Sequence, residues 1–483
     1  MKKLYRFSAI ALLVLPLVFT SCSDYLDRDD DDNITEADVF ARYEKVNGLV
    51  SDVYAAAKKA DRPLVFFEHF SNSAITDECE GTNVEGNITN NFNNGAWNPN
   101  SLPGSVGQYW EALYEGIRKA NLIIENVQKY NTPDNPQQDG DLRNRIGEMY
   151  FMRGYFHMLL LRMYGEAPYI DRVINAGDNM DFKKESVHSM VEKIVTDAQT
   201  AYGMVPNKYV KTSENFGRVD KGACLGLISF VRWVAATPLW NGASQYGYNL
   251  RRVFENEYAY DATRWRKAKE AAKAVLDFEV VGTKRYSLYT KHDANDFKDP
   301  ADGNLNDSRV YARLWDMFYD MDAFANEYVF FMTKSKDQAW QGDIYPPSRE
   351  GSSRQQPVQE QVDEYEYIVG DYGYPVYSAE ARKGGYDDTN PYVKGTRDPR
   401  FYRDVIYHGA PYRNNKNESK TINTASGSDK IGATNATTTG YYLRKFQQES
   451  WNKSGNFSIN APAIWRLPEF IYIYAAVSYT HLR

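Results

Sequence analysis

The strongest constraint on the fold is a repeated helical spacing of apolar residues in the first half of the chain. Apolar side chains recur every three or four positions, as one face of an α-helix requires, in residues 35–57, 108–130, 141–164, 186–204, 220–237 and 262–278. Alanines lie on these faces at Ala120, Ala198, Ala223, Ala268 and Ala272. Helices that meet in pairs through small residues are typical of tetratricopeptide-like stacks. We therefore predict a mainly α fold with a tetratricopeptide-like scaffold of helix pairs over residues 35–278.

The character of the chain changes after residue 278. Gly, Asn, Asp, Ser and Tyr dominate residues 279–460, and turn-forming pairs such as Asn390-Pro391 replace the helical spacing. An irregular region of this length is rare in a compact domain unless it carries a function. We predict a large, irregular, loop-rich ligand-binding region over residues 279–460. A returning scaffold helix is expected over residues 461–483.

Composition excludes several classes of function. The chain has 57 Lys+Arg against 64 Asp+Glu and a formal net charge of −7, whereas a protein that binds duplex nucleic acid needs a basic face. Six His and three Cys are too few and too scattered for a zinc framework, and we predict no metal and no cofactor. The sequence does not decide whether the protein holds a structural calcium ion or whether Cys79 and Cys224 form a disulfide. The aromatic share of 14% indicates that some rings are used at the surface.

The N-terminus has the pattern of an export signal. A basic start precedes an apolar stretch at residues 9–19, which is shorter than a helix that spans a bilayer. Cys22 follows two small residues, and this arrangement is similar to a bacterial lipoprotein signal, in which the cysteine is acylated. We predict a signal peptide over residues 1–21, a lipid anchor on Cys22 and an acidic tether over residues 22–34. An ordinary signal peptide with an incidental cysteine is the alternative.

Short motifs in a fixed order cover almost the whole mature chain. Two of them, residues 109–121 (YWEALYEGIRKAN) and residues 147–156 (GEMYFMRGYF), lie in the predicted helices. Others are residues 164–168 (YGEAP), 265–268 (WRKA), 397–401 (RDPRF), 442–446 (YLRKF) and 466–469 (RLPE). Together with the lipoprotein start, they resemble the RagB/SusD family of outer-membrane nutrient-binding lipoproteins.

This resemblance implies both a fold and a function. It implies four tetratricopeptide-like helix pairs that support an irregular binding face. It also implies a lipid-anchored protein on the outer face of the outer membrane that captures oligosaccharide or polysaccharide. Such a protein delivers its ligand to a SusC-like TonB-dependent transporter and does not catalyse a reaction. Some relatives bind peptide, so a peptide-binding, RagB-like lid is the main alternative.

Ligand contacts are expected from aromatic rings on polar loops, because a glycan offers C–H faces to rings and hydroxyls to amides. Trp97 lies in a segment, residues 83–100, that contains eight Asn. The resemblance places a ligand-stacking tryptophan in this loop in some relatives, so we expect Trp97 and Asn100 to bind the ligand. On the same resemblance, Tyr289 and Trp315 complete the aromatic set. Burial in the protein interior is the alternative for each ring.

An enzyme is the least favoured class. The sequence contains no Gly-x-Ser-x-Gly, P-loop, His-Glu-x-x-His or Cys-x-x-Cys motif. A glycosidase needs two carboxylates across a cleft, and spacing along the chain cannot reveal such a pair. We predict a protein that is not an enzyme, with a surface-anchored glycan hydrolase as the more distant alternative. Residues 471–475 resemble the family's penultimate scaffold helix, and we expect the sequence to be truncated after it.

Overall fold

The computed structural model describes most of the chain between residues 35 and 481. The described residues are 35–60, 70–83, 88–98, 100, 104–131, 136–209, 214–242, 255–290, 317–318, 320–332, 342–393, 395–413, 419–447 and 463–481. The predicted signal peptide, Cys22, the acidic tether and Trp315 lie outside this set.

Long helices make up the first half of the described chain, and short ones occur in the second half. Side-chain caps define several helix starts: Thr35 and Asp38 form a capping box at α1, and Asp220 accepts the Ala223 amide at 3.1 Å at the start of α7. The helices are α1 (Glu36–Phe40), α2 (Tyr43–Ala60), α3 (Ile88–Asn93), α4 (Gly104–Tyr130), α5 (Pro136–Tyr164), α6 (Val187–Met204), α7 (Lys221–Ala236), α8 (Ala262–Asp277), α9 (Met321–Asn326), α10 (Gln359–Asp363), α11 (Ala379–Lys383), α12 (Pro399–Asp404) and α13 (Leu467–Ala476).

The strands are short and form small antiparallel sheets. Strand β2 lies between β1 and β6, and the other described strands associate in pairs: β3 with β4, β5 with β13, β7 with β8, β9 with β12, and β10 with β11. Their bounds are β1 (Ile75–Thr76), β2 (Cys79–Gly81), β3 (Glu279–Val280), β4 (Thr283–Lys284), β5 (Tyr328–Phe331), β6 (Gln355–Pro357), β7 (Tyr367–Val369), β8 (Tyr372–Tyr374), β9 (Val405–Ile406), β10 (Pro411–Arg413), β11 (Ser419–Thr421), β12 (Tyr442–Leu443) and β13 (Ala463–Arg466). The prediction of a mainly α fold is confirmed.

The long helices pack against their neighbours in chain order. Helix α2 lies on α4, α4 on α5, α5 on α6, α6 on α7, α7 on α8, and α8 on α13. Small residues sit where these helices meet: the five face alanines are all buried. At Gly116, a Cβ atom would lie only 2.5 Å from the Phe156 ring, so α4 and α5 approach too closely for any side chain there.

A buried ionic network joins the helices beneath their apolar faces. The Glu148 carboxylate of α5 is fully buried and accepts hydrogen bonds from Arg145 and Arg218, each at 2.7 Å. It also accepts from the hydroxyls of Tyr54 at 2.9 Å and Tyr209 at 2.7 Å. Because four donors surround one carboxylate, its charge is compensated although water is excluded.

The second half of the chain has a hydrophobic core of its own. This core contains Tyr345, Phe401 and Tyr442, with Arg349 and Arg397 buried beside it. The Arg349 guanidinium lies 4.7 Å from the Tyr345 ring centroid, and Arg397 donates to the Val362 carbonyl at 2.6 Å. Strand β5 is an exception within residues 279–460, because its Val329 and Phe330 pack in the core of the helical scaffold. The domain boundaries otherwise stay a prediction.

Candidate functional site

A short β-hairpin fixes one part of the candidate site to the second half of the chain. Strand β2 pairs with β1 on one side and β6 on the other. The Ser71 backbone N–H and hydroxyl both donate to Gln355 Oε1, at 2.8 and 2.6 Å. At the other end, Asn83 Nδ2 donates to the Ala436 carbonyl at 3.0 Å. The hairpin is thus held at both ends by contacts distant in sequence.

Helix α3 follows the hairpin, and the chain reverses at Gly95. Gly95 has φ +70°, a left-handed conformation that glycine adopts readily after a helix, and the Ala96 amide donates to the Asn91 carbonyl at 2.8 Å. This reversal brings Trp97 back against Phe92, with ring centroids 4.9 Å apart and 82° between the ring planes. Trp97 is half-buried, and Phe92 is 39% exposed. The two rings form an aromatic surface at the edge of the molecule.

The inner side of Trp97 packs on a small apolar cluster. Phe70 and Ala74 of the hairpin are its fully buried members, and Ile75 and Ile88 complete it. The cluster is separate from the core of the helical scaffold. Trp97 therefore combines a packing role on one side with an accessible edge on the other.

Several asparagines lie in the same segment of the chain as the aromatic pair. Asn91 and Asn94 are exposed, and within the described chain their side-chain amides make no hydrogen bond. Asn93 instead donates through Nδ2 to the Ala74 carbonyl at 3.2 Å and ties α3 to the hairpin. Each free amide offers two donors and one acceptor, which suit the hydroxyls of a sugar.

Asn100 lies in the same loop as Trp97 and is exposed. Its backbone N–H donates to Asn98 Oδ1 at 3.0 Å, in an Asx-type turn. Trp97 and Asn100 thus lie within one turn of the same loop. Their contact with a ligand stays a prediction.

Tyr289 lies in a different cluster of side chains, with Met317, Phe318 and Ala323. Its ring is only 7% exposed, its backbone N–H donates to Glu327 Oε2 at 2.7 Å, and its hydroxyl donates to Asp320 at 3.0 Å. In this arrangement the Tyr289 ring has little surface to offer a ligand. The prediction for Tyr289 is therefore at odds with its burial, and Trp315 lies outside the described residues.

A polar cleft of about 260 Å³ lies beside the hairpin, on the side that carries Ser71, Ser73 and Glu78. Ser73 donates to the Glu78 carboxylate at 3.0 Å, so this carboxylate has a hydrogen-bonding partner within the hairpin. Cys79 also lines the cleft, and burial raises the pKa of its thiol to about 12. A thiol with so high a pKa is a poor nucleophile at neutral pH.

The titration of the carboxyl groups gives no support to acid–base chemistry at the Trp97 loop. In the described chain, burial raises the pKa of Asp220 and of Glu469, the groups that a general acid would resemble. Asp220 caps α7 and pairs with Arg285 at 3.0 Å, and Glu469 lies on α13. Neither belongs to the hairpin or to α3. Among the described residues no cluster of His, Cys, Asp and Glu side chains has the arrangement of a metal site.

Phe92 is the site residue that sequence reasoning missed. In sequence it is one aromatic residue within an asparagine-rich run, five positions before Trp97. The available signal was Asn93-Asn94-Gly95, because a glycine after a short helix predicts a chain reversal. Such a reversal places the residues before and after it in contact.

Comparisons with known proteins identify relatives of this chain. A family model described as starch-binding and associating with the outer membrane matches residues 24–231, and a SusD family model matches residues 320–476. A curated relative, SusD-like protein P2 from Formosa agariphila, is 24% identical over 202 residues. That match spans 41% of this chain and only 38% of the relative.

Solved structures share the fold. A SusD-like protein from Bacteroides fragilis is 18% identical, with 92% of this chain and 77% of that chain covered and a TM-score of 0.66. A SusD-like carbohydrate-binding protein from the same species is 14% identical, with coverage of 91% and 74% and a TM-score of 0.64. A laminarin-binding SusD-like protein is 15% identical, with coverage of 90% and 80% and a TM-score of 0.52.

The fold is the helical scaffold that these SusD-like structures share. The chain belongs to the SusD/RagB family.

Proposed function

We propose that this protein binds a glycan through the aromatic surface of Trp97 and Phe92. The observation that carries the proposal is the edge-on pair of rings, 4.9 Å apart, in a segment whose Asn91 and Asn94 are exposed and make no side-chain hydrogen bond to the described residues. The rings suit the C–H faces of sugar rings, and the amides suit their hydroxyls. The carbohydrate-binding family and the laminarin-binding relative support this ligand class.

We propose that the protein works on the outer face of the outer membrane, held by an acylated Cys22 and the acidic tether of residues 22–34. The lipoprotein-like start and the family's association with the outer membrane support this location. In the part of the chain that the structure describes, no helix has both the length and the apolar character to cross a bilayer. We further propose that captured glycan passes to a SusC-like TonB-dependent transporter, as the family resemblance implies.

Titration calorimetry with the mature protein tests the proposal. The panel should contain laminarin, starch-derived oligosaccharides and mixed peptides, and chromatography should follow each incubation. We expect saturable binding of one glycan class without product release, and at least tenfold weaker binding by Trp97→Ala. Binding of peptides alone would favour the RagB-like lid, and release of shorter sugars would favour a hydrolase. Either result would overturn the proposal.

A further inference from the structure

A second recess lies away from the Trp97 loop, between the loop-rich region and the last scaffold helix. It has a volume of about 540 Å³ and is lined by residues of α12, β13 and α13, together with Lys445 and Phe446. Small-molecule sites in proteins commonly have volumes of roughly 300–1,000 Å³. This cavity therefore has room for one or two sugar rings.

Three cationic side chains converge on an aromatic pair in this cavity. Phe318 and Phe446 meet with ring centroids 4.4 Å apart. The guanidinium carbons of Arg403 and Arg466 lie 5.4 and 5.7 Å from the Phe318 centroid, and the Lys445 ammonium lies 5.3 Å from that of Phe446. Positive charge is thus concentrated at one place in a protein whose net charge is −7.

The three cations differ in how they are compensated. Arg403 is paired with Asp404 at 2.6 Å, and Arg466 lies 3.5 Å from Glu327. The Lys445 ammonium has no ion pair and no hydrogen bond among the described residues. Burial lowers the pKa of Lys445, as do the charges of Arg403 and Arg466, and the Asp404 and Glu78 carboxylates act in the opposite direction. An anion in the cavity would supply the missing counter-charge.

One carboxyl group, Glu469 of α13, lines the same cavity and makes no hydrogen bond or ion pair with the described residues. Burial raises its pKa to about 7, and the nearby charges of Arg162 and Arg466 act in the opposite direction. Arg403 and Lys445 are the other charged groups of the cavity wall, and on the neighbouring α8 the Lys269 ammonium lies over the Tyr474 ring. Glu469 is therefore neutral below pH 7 and negative above it.

Apolar side chains form the remainder of the wall, among them Trp233, Ile464 and Pro468. A ligand that fits both parts of the wall carries an anionic group and a ring with C–H faces. We propose that this cavity binds a sugar bearing an oxyanion, either a carboxylate or a sulfate ester, with the anion at Lys445, Arg403 and Arg466. This inference goes beyond the proposed function, because it adds a second site, for an acidic sugar, apart from the Trp97 surface.

The cavity is connected in the fold to the candidate site. Lys445 and Phe446 line both the cavity and the polar cleft beside the hairpin. The same two side chains thus lie between a cleft that carries the carboxylates of Glu78 and Asp404 and a cavity that carries three cations.

Titration calorimetry at pH 6.5 with glucuronate, glucose 6-sulfate and glucose tests the cavity. We expect one or both anionic sugars to bind at least tenfold more tightly than glucose. Lys445→Met keeps the aliphatic stem and should weaken that binding at least tenfold, whereas Lys430→Met, at an exposed position, should not. Trp97→Ala should leave the affinity for the anionic sugars unchanged. A failure of glycan binding at the Trp97 surface can therefore be told apart from a failure of binding in the cavity. Equal affinity for glucose, or an unchanged Kd in Lys445→Met, would overturn the proposal.

Glu469→Gln gives a second test, because the variant is expected to bind more tightly and a misfolded protein would not. Above pH 7 the ionised Glu469 repels a bound anion, so the wild-type affinity should fall several-fold between pH 6 and pH 8. Glu469→Gln should lose most of this dependence and bind the anionic sugar more tightly than wild type at pH 8. Equal or weaker binding by Glu469→Gln at pH 8 would refute the assignment.

Discussion

The indole of Trp97 lies edge-on against the ring of Phe92, with 4.9 Å between centroids. The two rings are not equivalent, because Trp97 also packs inward on Phe70 and Ala74 whereas Phe92 is largely at the surface. Replacing Trp97 removes both the stacking edge and part of a small packed cluster. Replacing Phe92 removes accessible ring surface and little else.

Trp97→Ala should therefore weaken glycan binding by about 2 kcal/mol, roughly thirtyfold, as expected for an aromatic residue central to an interface. The melting temperature should fall only slightly, because the cluster beneath Trp97 is separate from the scaffold core. Calorimetry and far-UV circular dichroism measure the two effects.

Phe92→Ala is the informative companion and should weaken binding with no change in melting. Tyr372→Ala, at a ring 70% exposed on β8, is the matched control and should change neither. A large drop in melting temperature with intact affinity in Trp97→Ala would assign this residue to packing alone.

Cys22→Ala should release the protein from the membrane fraction. The reason is that the sequence offers Cys22 as the acylation site, and each buried CH₂ of an acyl chain contributes about 0.8 kcal/mol to membrane binding. Fractionation of cells that express the wild type or the variant measures how much of each protein stays in the membrane fraction. Retention of Cys22→Ala in the membrane fraction would disprove the lipid anchor at this position.

Glu148→Gln should destabilise the scaffold by about 3–5 kcal/mol, because it removes the charge that compensates buried Arg145 and half-buried Arg218. Chemical denaturation followed by circular dichroism measures the free energy of unfolding. Glu192→Gln is the control: Glu192 pairs with Arg232 and Lys267 at the surface, and its loss should cost less than about 1 kcal/mol. If the two substitutions lower the free energy of unfolding by similar amounts, the buried network contributes no more to stability than the surface ion pair.

Acid should destabilise the protein through His157. This ring is fully buried; its Nδ1 donates to the Arg153 carbonyl, its Nε2 accepts from the Ile170 amide, and burial lowers its pKa to about 3. The unfolded chain takes up a proton near pH 6.5, whereas the folded ring does so only near pH 3. The stabilisation is therefore complete above pH 6.5 and is lost as the pH falls, at up to about 1.4 kcal/mol per pH unit.

Measurements of the free energy of unfolding between pH 7 and pH 5 test whether the protein loses stability as the pH falls. His188, whose pKa burial lowers to about 4, should contribute in the same direction. His157→Gln should reduce the slope. A slope that His157→Gln does not alter would contradict the role of this ring.

The helices were predictable because their signals are local. The apolar spacing over residues 186–204 and 262–278 corresponds to α6 and α8 within one residue at each end. Asp220 and Asp261 precede α7 and α8 and cap them as helix-start residues do. Burial of the face alanines also followed from spacing alone.

The arrangement of the second half could not be predicted, because its contacts join distant residues. Tyr289 donates to Asp320 and packs beside Phe318, and no pattern along the chain indicates that contact. The same is true of the cavity, where Arg403, Lys445 and Glu469 come from three separate segments. The sequence indicated an aromatic, loop-built surface at Trp97 but not the cationic recess.

Cys79 and Cys224 are both free and buried, and burial raises the pKa of each thiol. With Cys22 the chain has three cysteines in all. In Cys22→Ala protein, a cysteine introduced at the surface would thus be the sole thiol that a maleimide dye reaches quickly. One fluorophore placed at Ser73, at the rim of the cleft, would then report ligand occupancy in a native molecule without interference from the two interior sulfurs.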